Sequence, residues 1–117
     1  GKETLQQLNP EIQITALTEK LDQQDLLKQA QQADVVIDGT DNFDSRFLIN
    51  KVCVSAQTPL VSGAAIRMEG QVIVFANQGK GPCYRCLYKD DASDSATTCS
   101  ENGVLSPVVG IIGSIQA

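Results

Sequence analysis

The sequence contains no histidine and no tryptophan. Without imidazole, a metal site must be built from thiolates or carboxylates, and any proton transfer must use another group. Basic residues are in deficit, 9 against 14 acidic, for a formal charge of −5. That balance lacks the basic patch needed to neutralise nucleic-acid phosphates, so no nucleic-acid partner is expected. Small anions stay admissible, because a helix N-terminus and one arginine suffice to hold a phosphate. Long apolar runs are missing too. Residues 104–117 are apolar but too short to cross a bilayer, and Pro107 and Gly110 interrupt them, so no membrane span is expected. No signal-peptide pattern opens the chain, which makes a cytoplasmic location the expectation. The four cysteines follow no secreted disulfide framework and point instead to metal binding or thiol chemistry.

What is present reads as one α/β unit. The 117 residues, 42% apolar, suit a single domain. Residues 4–8 read as the tail of a helix that stops at Asn9-Pro10. Residues 12–17 alternate apolar and polar side chains, as a short strand does. Asp22, with Asp25 three positions on, predicts the start of a helix running to about Gln32. Residues 33–38 form a β-branched run of the buried-strand type, ending at Gly39-Thr40-Asp41-Asn42. A helix over 42–56 follows, with Phe43, Phe47 and Val54 expected on its inner side. Residues 60–65 predict another buried strand, and the turn at 68–70 leads into an antiparallel or edge strand over 71–75. Gly, Pro, Asp, Ser and Cys dominate residues 77–102, which predicts a long functional loop, and a packed helix begins near Pro107. Two strand–helix–strand passages imply a partial Rossmann-like, mostly parallel sheet with an antiparallel extension. The glycine-rich phosphate loop expected near the start of such a sheet is absent, and the last helix reaches Ala117 without a cap. A small complete α/β domain with ragged ends would explain this, but the expectation is a piece of a longer nucleotide-handling chain, with flanks on both sides.

Asp41 follows the C-terminal end of a buried strand and stands at the start of a helix, the edge at which open α/β sheets bind ligands. Its carboxylate suits Mg²⁺ on nucleotide phosphates, Asn42 suits a helix cap, and Arg46 lies one turn along. A plain cap with a surface arginine explains the same residues equally well. Asp38 ends the strand and serves the turn. Cys83-Tyr84-Arg85-Cys86 has the spacing of paired zinc thiolates, which redox pairs share. Its place in a loop, not at the head of a helix, argues for metal. No second pair is present, so the motif amounts to half of a four-thiolate site. Cys53 falls inside a helix as a core residue, whereas Cys99 is a third ligand, a reactive thiol or inert.

Asp38-Gly39-Thr40-Asp41-Asn42 with Arg46 resembles the D-x-T-D-N-x-x-x-R signature of the ubiquitin-activating-like adenylyltransferases. Residues 59–71, Pro82 to Leu87 and residues 103–117 are similar to the molybdopterin-synthase and thiamine sulfur-carrier adenylyltransferase branch. The resemblance implies ATP-dependent adenylylation of the C-terminal glycine of a small ubiquitin-like sulfur carrier, in molybdopterin or thiamine biosynthesis, by a homodimeric enzyme. It assigns Asp41 to Mg²⁺ and phosphate charge, Asn42 and Arg46 to the same nucleotide site, and Cys83 and Cys86 to Zn²⁺. The second thiolate pair would lie beyond Ala117. Cys99 matches the cysteine that forms a sulfur-linked intermediate in thiamine-type relatives, and Arg67 is either part of a carrier-tail channel or purely structural. The nucleotide loop and an arginine supplied across the dimer would precede Gly1, so the isolated chain is expected to be inactive. The alternative function is a non-catalytic carrier-binding or zinc-stabilised structural module.

Overall fold

The computed structural model describes residues 1–79, 81–88 and 103–117. Its elements run α1 (Lys2–Leu8), α2 (Gln23–Gln32), β1 (Val36–Asp38), α3 (Phe43–Ala56), β2 (Leu60–Ile66), β3 (Glu69–Phe75), α4 (Tyr84–Leu87) and α5 (Ser106–Gln116). Local chemistry explains most of the boundaries. The Asp22 side chain accepts from the Asp25 amide at 2.8 Å and starts α2. The Asn42 side chain accepts from the Ser45 amide at 2.9 Å and starts α3. Gln57, in the left-handed region at φ 55°, ends α3, and Pro59 then forces the chain into β2.

The three strands lie in the order β1-β2-β3. Three residues of β1 pair parallel with β2, Val36 opposite Leu60 through Asp38 opposite Ser62. Seven residues of β2 pair antiparallel with β3, Leu60 opposite Phe75 through Ile66 opposite Glu69. The sheet is thus mixed and mainly antiparallel, which overturns the mostly parallel, Rossmann-like expectation. The missing contribution is residues 12–17, which form no strand. There the Ile12 carbonyl accepts from the Gln6 side chain at 3.1 Å instead of from a ladder, and Ile12 and Leu17 are exposed. Alternation alone does not make a strand without a neighbour to pair with. Among the described residues there is therefore one strand–helix–strand passage, β1-α3-β2, not two.

The two faces of the sheet are covered differently. Val36, Asp38, Leu60, Ser62 and Phe75 face α3 and α4, and the last four are almost wholly buried. Leu60, Phe75, Cys53 and Tyr84 form the core, with Phe43, Phe47, Ile73 and Tyr88 packed against it. All five aromatic residues of the chain meet in this one layer: Phe43 contacts Phe47 and Tyr88, and Tyr84 contacts Phe47, Phe75 and Tyr88. Tyr84 and Tyr88 stack at 4.7 Å and Phe43 and Phe47 at 6.1 Å, and the other ring pairs are tilted or edge-on at about 6 Å, within the range that adds to simple area burial. Val54, expected inside, points outward at 43% exposure, and the buried positions of α3 belong to Asn50, Val52 and Cys53.

On the opposite face α5 approaches through Val108, Ile112 and Gln116. A side chain at Gly63 would collide with Gln116, and one at Gly70 with Ile112, so these two glycines set how closely the helix lies. The Gln116 side chain donates to the carbonyls of Asp38 at 2.9 Å and Val61 at 3.3 Å, tying the last turn of α5 to the top of β1 and β2. No helix among the described residues is long and apolar enough to cross a membrane.

Candidate functional site

The turn after β1 is held from both sides. Asp38 is 1% exposed, and its Oδ1 accepts from the Thr40 amide at 2.8 Å and from the Thr40 hydroxyl at 2.7 Å. The Arg46 guanidinium donates twice to the Thr40 carbonyl, at 3.0 and 2.6 Å. Thr40 therefore has its amide, hydroxyl and carbonyl all engaged, and the next residue is presented from a fixed backbone. That residue is Asp41. It is exposed, and its Oδ1 accepts a long 3.3 Å bond from the Asn42 amide group, which leaves the carboxylate reachable. It stands where the amides of the first turn of α3 concentrate positive partial charge.

Arg46 does not pair with Asp41. Its guanidinium secures the turn and faces the cleft that Tyr84 also lines, where its charge acts on the Tyr84 hydroxyl. Burial raises the pKa of that hydroxyl against the opposing effect of Arg46. Arg46 and Tyr84, with Ser62, Ala64, Gln71 and Ile73, line a small cleft on the α3 face of the sheet. Tyr88 closes its rim by donating to Gln71 at 2.6 Å.

The cysteine pair adjoins this cleft. Cys83 and Cys86 hold their sulfurs 3.8 Å apart, with no disulfide between them. Contrary to the loop expectation, Cys83 caps a short helix, α4: its sulfur accepts from the Cys86 amide while the Cys86 sulfur accepts from the Cys83 amide at 3.4 Å. The loop placement therefore no longer separates a metal pair from a redox pair. Burial opposes the Cys83 thiolate. Hydrogen bonds from Asn50, from the Arg85 and Cys86 amides and from the Cys86 thiol outweigh it, and the pKa falls below its ordinary value. Cys53 behaves as the core residue expected: burial first, and then the Asp38 charge, push its pKa up to about 11.

Asn42, Arg46 and Asn50 recur at intervals of four along α3, so the turn and the cysteine knuckle hang from one helical stripe. Sequence reasoning missed Asn50 and Tyr84. A polar residue on the predicted inner stripe of a helix, eight positions after the capping asparagine, was the available signal. Arg67 adopts the left-handed conformation, φ 54°, at the hairpin turn, and its backbone exchanges hydrogen bonds with Gly103 and Leu105. Cys99 lies outside the described residues. Among the described residues no three His, Cys, Asp or Glu side chains gather as a metal cluster.

A ThiF family model matches residues 1–117. The molybdopterin-synthase adenylyltransferase of Escherichia coli (strain K12) is 47% identical over 117 residues, which is all of this chain and 47% of that protein. The sulfur carrier protein ThiS adenylyltransferase of the same organism is 41% identical over 117 residues, all of this chain and 46% of that protein. The adenylyltransferase and sulfurtransferase UBA4 of Meyerozyma guilliermondii is 45% identical over 118 residues, all of this chain and 28% of that protein. The chain spans about half the length, or less, of the curated relatives it matches.

Proposed function

The chain belongs to the ThiF family, and from that premise we propose that it is the C-terminal portion of the nucleotide-binding domain of an ATP-dependent adenylyltransferase. Its substrate is the C-terminal glycine carboxylate of a small ubiquitin-like sulfur carrier, in the cytoplasm and in the service of molybdopterin or thiamine biosynthesis. The supporting observation is the doubly clamped turn that presents Asp41 beside the N-terminus of α3.

The carrier's carboxylate is ionised at neutral pH and needs no general base, which fits a site without histidine. Its oxygen attacks the α-phosphorus of ATP, the bond to the bridging oxygen breaks, and pyrophosphate leaves behind an acyl-adenylate. The protein's contribution is alignment and charge neutralisation. Asp41 supplies the hard carboxylate oxygens that Mg²⁺ prefers, and Mg²⁺ would offset phosphate charge there. Asn42 holds the helix start, and Arg46 maintains the turn from behind. The nucleotide loop and a second copy of the enzyme in a homodimer complete the site.

The cysteine pair also fits a metal. Two sulfurs each ~2.3 Å from a tetrahedral zinc lie about 3.8 Å apart, the separation found between Cys83 and Cys86. They would supply two of four thiolate ligands to a structural Zn²⁺, the other two coming from outside this segment.

The test is carrier-dependent exchange of pyrophosphate into ATP by the full-length protein. Asp41→Ala should lower the exchange by roughly 10²–10³-fold, the range for loss of one electrostatic stabiliser, while the fold stays intact. Undiminished exchange removes Asp41 from the mechanism. Carrier binding without any exchange in the unmodified protein identifies a non-catalytic carrier-binding module instead.

A further inference from the structure

We infer that Asn50 is a positioning residue for the metal held by Cys83 and Cys86; the inference rests on the zinc reading of that pair. Asn50 lies on α3 at 4% exposure, a position the helix period would otherwise give to an apolar side chain. Both ends of its amide are used across the gap to α4. Oδ1 accepts from the backbone amide of Tyr84 at 2.9 Å, and Nδ2 lies 3.8 Å from the Cys83 sulfur, within reach of an N–H···S bond. The orientation of the amide follows from chemistry, because a backbone N–H can only donate. Oδ1 therefore faces Tyr84, and the amide protons face the sulfur.

A buried asparagine without partners is costly, so the arrangement needs both contacts to be worth its place. One holds the peptide between Cys83 and Tyr84 in register on α3. The other directs a donor at a ligand sulfur, the relation by which outer hydrogen bonds orient ligands and tune a metal. Asn50 stands one turn beyond Arg46; Tyr84 bonds to Asn50 and lines the same cleft as Arg46. The same stripe of α3 thus supports the Asp41 turn at one end and the thiolate knuckle at the other.

The experiment uses the full-length protein reconstituted with Co²⁺ or Zn²⁺, read by the sulfur-to-cobalt charge-transfer band and by competition with a chromophoric chelator. Asn50→Asp keeps the acceptor for the Tyr84 amide and removes the donor to sulfur. We expect native circular dichroism, a shifted charge-transfer band and metal affinity lower by roughly 10–100-fold. Asn50→Ala should lose at least as much. Wild-type affinity with an unshifted band in folded Asn50→Asp overturns the inference while leaving the zinc reading standing. Failure of the unmodified protein to bind either metal overturns both. Should the variants not fold, the cadmium-substituted unmodified protein decides: the Asn50 side-chain amide protons show coupling through the sulfur to cadmium, or their lack of it refutes the contact.

Discussion

The two faces of the sheet are built on opposite principles. On one, α3 and α4 gather every aromatic side chain, with Phe75 and Tyr84 fully buried, together with three buried polar residues, Asp38, Asn50 and Ser62. On the other, α5 rests on two glycines and has no buried residue of its own, while Val109, Ile111 and Ile115 stay exposed. Beside α5 the cross-strand row Ile37–Val61–Val74 leaves Ile37 and Val74 at 53% and 67% exposure. The first face combines shape with buried hydrogen bonds and carries the candidate chemistry. The second is aliphatic and loosely covered. Polar groups are worth burying where they hold a turn or a ligand in one geometry, and the site sits on the face where that is done.

Truncating the centre of the aromatic layer should give the largest effect. Tyr84→Ala is expected to cost about 3–5 kcal/mol, read as a lower urea midpoint. Tyr84→Phe, losing only the hydroxyl, should cost about 1 kcal/mol or less. A small loss for Tyr84→Ala would break the contrast between the faces. Gly63→Ala comes next. The added methyl meets the flexible end of Gln116, so a cost of about 1 kcal/mol, at the low end for overpacking, is expected. Adding Gln116→Ala to the same chain should recover much of it; no recovery would mean that the backbone, not Gln116, resists.

Cys53 predicts an effect confined to alkaline solution. Its folded pKa, about 11, exceeds its ordinary 9.0, so the folded state holds the proton more tightly. That contribution is complete below pH 9.0 and is lost as pH rises through about 11. Cys53→Ala should flatten this decline, and alkylation at neutral pH should reach Cys83 well before Cys53. The smallest change is expected at Ile111→Ser on the outer side of α5, within about 0.5 kcal/mol. A loss well above that would show α5 to be covered in the full-length protein.

Much of the site was legible because its signals are local. The Asn42 cap and the start of α3 follow from one side chain reaching an amide three residues on. The hairpin of β2 and β3 follows from a turn between two β-rich runs, and Cys83 and Cys86 are marked by spacing alone. Asp41, Arg46 and the cysteine pair were therefore legible as candidate residues, but not as a connected arrangement. Of the two contacts expected of Arg46, the pairing with Asp41 is not made, and the guanidinium grips the Thr40 carbonyl.

The sequence by itself determined where α2, α3 and the β2–β3 hairpin lie, which residues are candidates for the chemistry, and the family to which the chain belongs. Those properties depend on contacts a few residues apart or on motifs read in order. The tertiary structure alone decided that residues 12–17 find no partner, which makes the sheet mixed, and that Asn50 faces inward toward a sulfur 33 positions away. It also decided that the five scattered aromatic residues share one layer. Strand pairing, burial of a polar side chain and aromatic packing are settled by neighbours distant in sequence, and no local period encodes them.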